Sequence, residues 1–221
     1  MKKLFVLVLA VWLLLPIAAS AAQPLRIARL PLMLNGFMRP DDQTIDRLET
    51  KLDRAIHVPL NGVLNVVTYL PEGASEDALA EIIDEQRQKS SKKRLKLKDM
   101  MEPLAQRLEA DIVICPVLTA YDEQIYHSFR WFGEMIVHSN AAVQINGYNR
   151  RTGKPFAKEV WHHSHDEYGV RSRASYLAEM CMDEVIEEAK LREMIPSAKE
   201  LLNERVNADD NATKKENSHD D

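Results

Sequence analysis

From Ile112 to Leu118 the chain reads Ile-Val-Ile-Cys-Pro-Val-Leu, apolar at every position. A strand covered on both faces reads this way, so the segment predicts a central strand with Asp111 at its start and a helix ending at Ala110 before it. Upstream, residues 25–33 predict a first strand with Ala28, Leu30 and Leu32 on one face and Ile27 on the other. Residues 34–40 form a loop closed by Pro40, and Asp41 and Asp42 supply caps for a helix over 42–57. Ile45, Leu48, Leu52, Ala55 and Ile56 give that helix its apolar stripe, and Pro59 and Gly62 end it. Val63–Leu70, rich in β-branched residues, predicts a second interior strand. After a turn at Pro71 and Gly73, Ser75 caps a helix whose stripe is Ala78, Leu79, Ile82 and Ile83. Asp99 and Glu102 resemble a capping box, with Pro103 in or near the first turn and Leu104 and Leu108 turned inward.

From Glu123 the pattern changes to consecutive strands. Ile125–Val137 is aromatic-rich, with Tyr126, Phe129, Trp131 and Phe132. Ala141–Tyr148 alternates, placing Ala141, Val143 and Ile145 inward and Gln144 and Asn146 outward. Asn149–Gly153 is a turn, and Phe156–His163 pairs back as a hairpin. A last helix spans 172–194, with Ala174, Leu177, Ala178, Cys181, Val185 and Ala189 buried and Pro196 just beyond. The expected fold class is α/β: a mixed sheet, its parallel core extended by antiparallel hairpins, flanked by about four helices in one domain over 22–196. The polar segment 197–221 is expected to be a disordered tail; its Asn211-Ala212-Thr213 is a sequon in form only.

Residues 1–21 read as a secretory leader: Lys2 and Lys3, an unbroken apolar run from Leu4 to Leu15, Pro16, and a small-residue end at Ala19-Ser20-Ala21. An uncleaved anchor is the alternative, but the run is shorter than the roughly 20 residues of a spanning helix, which favours cleavage after Ala21. The expected location is therefore periplasmic or secreted, without an integral membrane span after cleavage. No cysteine lies near position 22 to carry a lipid. In an exported chain Cys115 and Cys181 can form a disulfide, and both also fit as small buried hydrophobes.

Composition narrows the function classes. Net charge is −5, or −7 once Lys2 and Lys3 leave with the leader, which disfavours duplex nucleic acid as a partner. Only 7 glycines occur, against roughly 15 at average usage, so phosphate-cradling loops are not expected. The one basic cluster, Ser90–Lys98, is more simply a solvated helix end and loop than a site for anionic lipid or nucleic acid.

The sharpest chemical feature is His162-His163-Ser164-His165. On a strand, His163 and His165 share a face, as a two-histidine metal site requires. Further ligands would have to come from elsewhere, His127 or His138 for instance, and the spacing is not HExxH. A polar strand end is the simpler reading. No GxSxG elbow occurs, Cys115 sits in an apolar strand where a thiol is inert, and Asp111 is more simply a corner residue than a catalytic one. No catalytic, cofactor-binding or metal-binding residue is assigned, and no cofactor is predicted.

Three segments carry a resemblance: Leu25-Arg26-Ile27-Ala28-Arg29-Leu30-Pro31-Leu32, the helix–strand Leu104–Ile114 with its Leu-Glu-Ala-Asp, and the hairpin Ala142–Lys154 with its Arg-Arg-Thr-Gly-Lys. In this order the chain resembles envelope domains: that of the curli-secretion lipoprotein, the lipoprotein activators of penicillin-binding proteins, and the amino-terminal domain of TolB. The resemblance covers about residues 25–190 in layout. It implies an α/β sandwich and a non-catalytic role in envelope assembly or scaffolding, with envelope proteins or a second copy of the chain as partners. The chain departs from those lipoproteins in lacking a lipidated Cys, and it has Cys115-Pro116 where a Gly is usual. Phe129–Phe132 and Arg150-Arg151 are the expected contact surfaces. A periplasmic metal- or small-ligand-binding protein is the runner-up, and a hydrolase without a recognised motif the third class.

Overall fold

The apolar segment at Ile112 does become the centre of a sheet. The computed structural model describes residues 23–36, 38–89, 95–127, 135–204 and 206–207. The leader segment, most of the basic cluster, the aromatic run Phe129–Phe132 and residues 208–221 lie outside the described residues. The strands are β1 (Leu25–Arg29), β2 (Met33–Leu34), β3 (Val67–Tyr69), β4 (Ile112–His127), β5 (Met135–Asn149) and β6 (Lys154–Glu167). They form one mixed sheet in the order β3-β1-β4-β5-β6, with β2 also on β4. β1 runs parallel to both β3 and β4, while β4, β5 and β6 form an antiparallel ribbon. Helices α1 (Asp42–Ile56), α3 (Glu72–Lys89), α4 (Leu97–Arg107) and α5 (Ala174–Glu188) flank it, with single turns α2 (Asn61–Leu64) and α6 (Leu191–Met194). Residues Pro24–Ala198 make one compact unit; residues 199–204, helical, fall outside it.

Alternation along the strands divides the core. Ala28, Leu30, Val113, Cys115, Val117 and Tyr148 pack with Leu79, Ile82, Met101 and Leu104 of α3 and α4. The opposite face of β4, with Ile112 and Ile114, is equally buried, and α5 packs on β5 and β6 and against α1. Residues 112–118 are all buried, as a doubly covered strand requires.

Local chemistry sets several boundaries. Asp41 caps α1, its Oδ1 accepting from Thr44 N at 2.6 Å. The first strand is shorter than expected. After Arg29 the chain stays beside β4, Leu30 N donating to Ile114 O, and re-forms as β2 only at Met33. Pro31 has no N–H to give there, and Leu32 N donates instead to Glu49 Oε1 (3.0 Å). By the same alternation Pro116 turns its missing donor toward this gap, which is how a central strand accommodates it.

Five further expectations are corrected. Val63–Leu70 is not one strand: Asn61–Leu64 is a helical turn and only Val67–Tyr69 pairs. The Asn61 amide spans Val67 N and O (2.7 and 2.8 Å), and left-handed Leu60 and Asn65 bracket the turn, so a local side-chain-to-backbone clasp overrides β propensity. Ser75 is not an N-cap; α3 starts at Glu72, and the Ser75 hydroxyl donates to Pro71 O within the first turn. Likewise α4 starts at Leu97, no side chain caps it, and Pro103 lies in its second turn. No new strand begins at Glu123: β4 runs on to His127 through an irregularity between Leu118 and Ala120. The last helix is broken too, since Lys190 is left-handed (φ 54) between α5 and α6.

Candidate functional site

The three segments of the sequence resemblance meet at one corner of the sheet. α4 ends with Glu109 in the left-handed region (φ 50), and Ala110 N donates to Ala105 O, a Schellman closure. Asp111 then joins strands: its Oδ2 accepts from Arg26 N (2.9 Å), its N donates to Arg26 O (2.8 Å), and its carbonyl accepts from Arg150 N (2.8 Å). Arg26 bonds Glu109 (2.9 Å) and the Leu108 carbonyl (3.0 Å). Asp111 is thus a structural corner residue. The hairpin after β5 is a tight turn in which Arg151 N donates to Asn149 Oδ1 and Gly153 adopts φ 64. Arg150 edges a cavity of about 300 Å³ with Gln106, Glu109 and Tyr148.

The histidines are split by strand alternation. His162 turns toward α5, where its Nε2 lies 2.9 Å from Glu184. His163 and His165 point the other way with Trp161, sharing a face as expected. His163 stacks on Trp161 at 4.8 Å, the Trp161 indole N–H donates to Asn140 Oδ1, and the Tyr126 hydroxyl is 3.2 Å from the His165 ring. His138 faces His165 edge-on at 5.6 Å. His127 pairs with Met135 at the end of the ribbon, away from this group. Among the described residues, no three or more His, Cys, Asp or Glu side chains converge as a metal site. What β4, β5 and β6 build together is an exposed aromatic–imidazole face, with Trp161 56% and Tyr126 41% exposed. Trp161, the residue that organises it, carried no signal in the sequence beyond its type.

Helix α5 is tied to the other side of the ribbon. Glu123 Oε2 accepts from Ala174 N and Arg173 Nε (both 2.9 Å), an anion at a helix N-terminus, and the same carboxylate raises the Arg173 pKa. Ser139 Oγ donates to Ser172 O at 2.5 Å. Asn146, expected outward, is instead buried, donating to Gln144 Oε1 (3.1 Å), because this end of β5 is covered on both faces.

Both cysteines are free and buried. Cys115 Sγ sits 3.5 Å from Met33 Sδ, and Cys181 Sγ donates to Ala141 O at 3.4 Å. Burial pushes the Cys115 thiol up to about 12 and the Cys181 thiol up to about 11. At pH 8 neither thiol is expected to react with a soluble disulfide reagent until the protein unfolds, when both titrate. Stability then has a definite sign. The unfolded thiols ionise near 9.0 while the folded ones stay protonated, so stability present below pH 9 is lost as pH rises toward 12. Denaturation midpoints across that window measure it; a flat profile contradicts the burial argument.

A second cavity, of about 240 Å³, lies at the carboxyl ends of β1 and β3, lined by Ile27, Arg29, Asp53, Tyr69, Leu70 and Glu72 among others. Arg29 is 7% exposed. It pairs with Glu72, with Asp53 (3.0 Å) and with Glu49 (3.7 Å). Nε and Nη2 make no directional hydrogen bond, so the Asp53 and Glu49 contacts are charge attractions at poor angles.

No protein-family model matches the chain, and no curated protein matches it in sequence. Solved structures do resemble it in layout. The lipoprotein GNA1162 from Neisseria meningitidis is 15% identical, with 76% of this chain and 99% of that one covered at a TM-score of 0.35. The LpoB C-terminal domain from Salmonella enterica is 11% identical, with 63% and 83% covered at 0.31. PelC from Paraburkholderia phytofirmans, solved as a dodecamer, is 9% identical, with 75% and 88% covered at 0.33. At these values the likeness assigns neither family nor function. Among the described residues, no helix is long and apolar enough to cross a membrane.

Proposed function

We propose that the protein is an exported, non-catalytic module of the cell envelope that works by binding other proteins in assembly or scaffolding. The observation that carries this reading is the exposed face of the β4–β6 ribbon. Trp161, Tyr126, His163 and His165 stand on it at more than a third exposure, held in place by mutual contacts and not by burial. Rigid aromatic groups presented this way favour a partner surface, since little side-chain freedom is lost on contact. The leader-like residues 1–21 support export. The two thiols, held protonated by burial, offer no nucleophile. In-cell crosslinking with mass spectrometry tests the reading. An envelope-protein partner is expected whose yield falls at least about fivefold in Trp161→Ala while the fold is retained. Turnover of an ester, peptide or glycan substrate by the purified protein, with no crosslinked partner, overturns it.

A further inference from the structure

The sheet ends on β6, a strand of 14 residues that among the described residues pairs with β5 alone. The opposite edge is the three-residue β3. A long open edge is a template for another strand unless it is protected. Pro155 interrupts β6 only near its start; from Lys158 to Asp166 no proline and no bulge in the β5 ladder blocks the edge, and only the charges of Lys158, Glu159 and Asp166 guard it.

We infer that this edge pairs antiparallel with the β6 edge of a second copy of the chain, with the two-fold axis at His162. The charge pattern of the strand argues for that occupant, and for that register over the two adjacent ones. A two-fold axis perpendicular to the sheet keeps each copy's faces in common, so opposed residues must have the same parity. Centred on His162, Lys158 lies opposite Asp166 and Glu159 opposite His165, twice each, and Trp161 lies opposite His163. All six of these side chains are exposed in the single chain. Centring one residue later sets Glu159 against Glu167, and centring one earlier leaves Lys158 against Ser164 and Asp166 against Phe156. Opposite charges directly across a pair of strands stabilise it and like charges destabilise it. The Trp161–His163 stack of each copy meets that of the other, so the aromatic face becomes continuous across the axis.

The inference rests on the reading of the domain as an interaction module and names one of its partners. Sedimentation velocity on the whole mature chain over a concentration series is expected to show a dimer. Lys158→Glu and Asp166→Lys should each weaken it on the order of tenfold or more, and the double exchange K158E/D166K should restore it. His162→Cys places two thiols across the axis at a separation suited to a disulfide, so mild oxidation should give a covalent dimer, whereas Ser164→Cys should not. The native thiols are buried and do not compete. Circular dichroism confirms that each variant is folded. A monomeric wild-type protein, a double exchange that fails to recover the dimer, or equal crosslinking at 162 and 164 overturns the pairing. If a different envelope protein is still captured in cells through Trp161, the module reading stands and only the self-pairing is lost.

Discussion

Gly147→Ala is expected to destabilise the domain by about 3 kcal/mol or more, at or beyond the upper end of what added methyl groups cost in packed cores. Gly147 lies in β5 between Ile114 of β4 and Phe156 of β6. A Cβ there would overlap the Phe156 ring and stand 2.5 Å from the Val113 carbonyl oxygen. The ring is a side chain and can turn aside. The carbonyl cannot, because Val113 is in the central strand, fixed between β1 on one side and β5 on the other. Relief at Phe156 alone should therefore recover only part of the loss. In denaturant titrations Gly147→Ala should shift the midpoint strongly, and Gly147→Ala with Phe156→Leu should return partway. A full return in the double variant would show that the ring is the only obstacle, and an unchanged midpoint in the single one would mean that the strands can separate freely here.

Arg29→Ala is expected to cost about 2–4 kcal/mol, which a thermal or urea melt will read. Its guanidinium is nearly enclosed, and it ties β1 to Glu49 and Asp53 of α1 and to Glu72 at the start of α3. Removing it leaves three carboxylates facing one another beside an empty volume. A fully buried pair broken in this way costs about 3–5 kcal/mol, but Asp53 and Glu72 keep roughly half their surface in water, which screens the residual repulsion. Arg29→Met, which fills the volume without the charge, should recover the packing part only. Raising salt should narrow the gap between wild type and both variants, since only the charge component is screened. A loss below 0.5 kcal/mol would show that the ion pairs contribute nothing net.

Much of this molecule is legible residue by residue, and where it is, one local cause suffices. The doubly apolar run 112–118 could only be a covered strand. Asp41 ahead of a 3.6-residue stripe could only start a helix, and Asn149 to Gly153 between two polar-apolar alternations could only turn. The Asp111 corner was visible too, as a short motif, though its reason, bonds to Arg26 and Arg150 far away in sequence, was not. Where two causes competed, specific contacts decided. Val63 is β-branched yet 84% exposed in a helical turn, because the Asn61 amide captures Val67. Asn146 reads as a solvent position and is buried, because alternation reports which residues share a face but not whether a helix covers it. For the same reason the histidine run, one cluster in sequence, became two: His162 against Glu184 of α5, and His163 with His165 on the exposed aromatic face. Side-chain parity is set by the chain itself. What each face meets is set by the order in which strands and helices pack, and that order is a property of the whole fold.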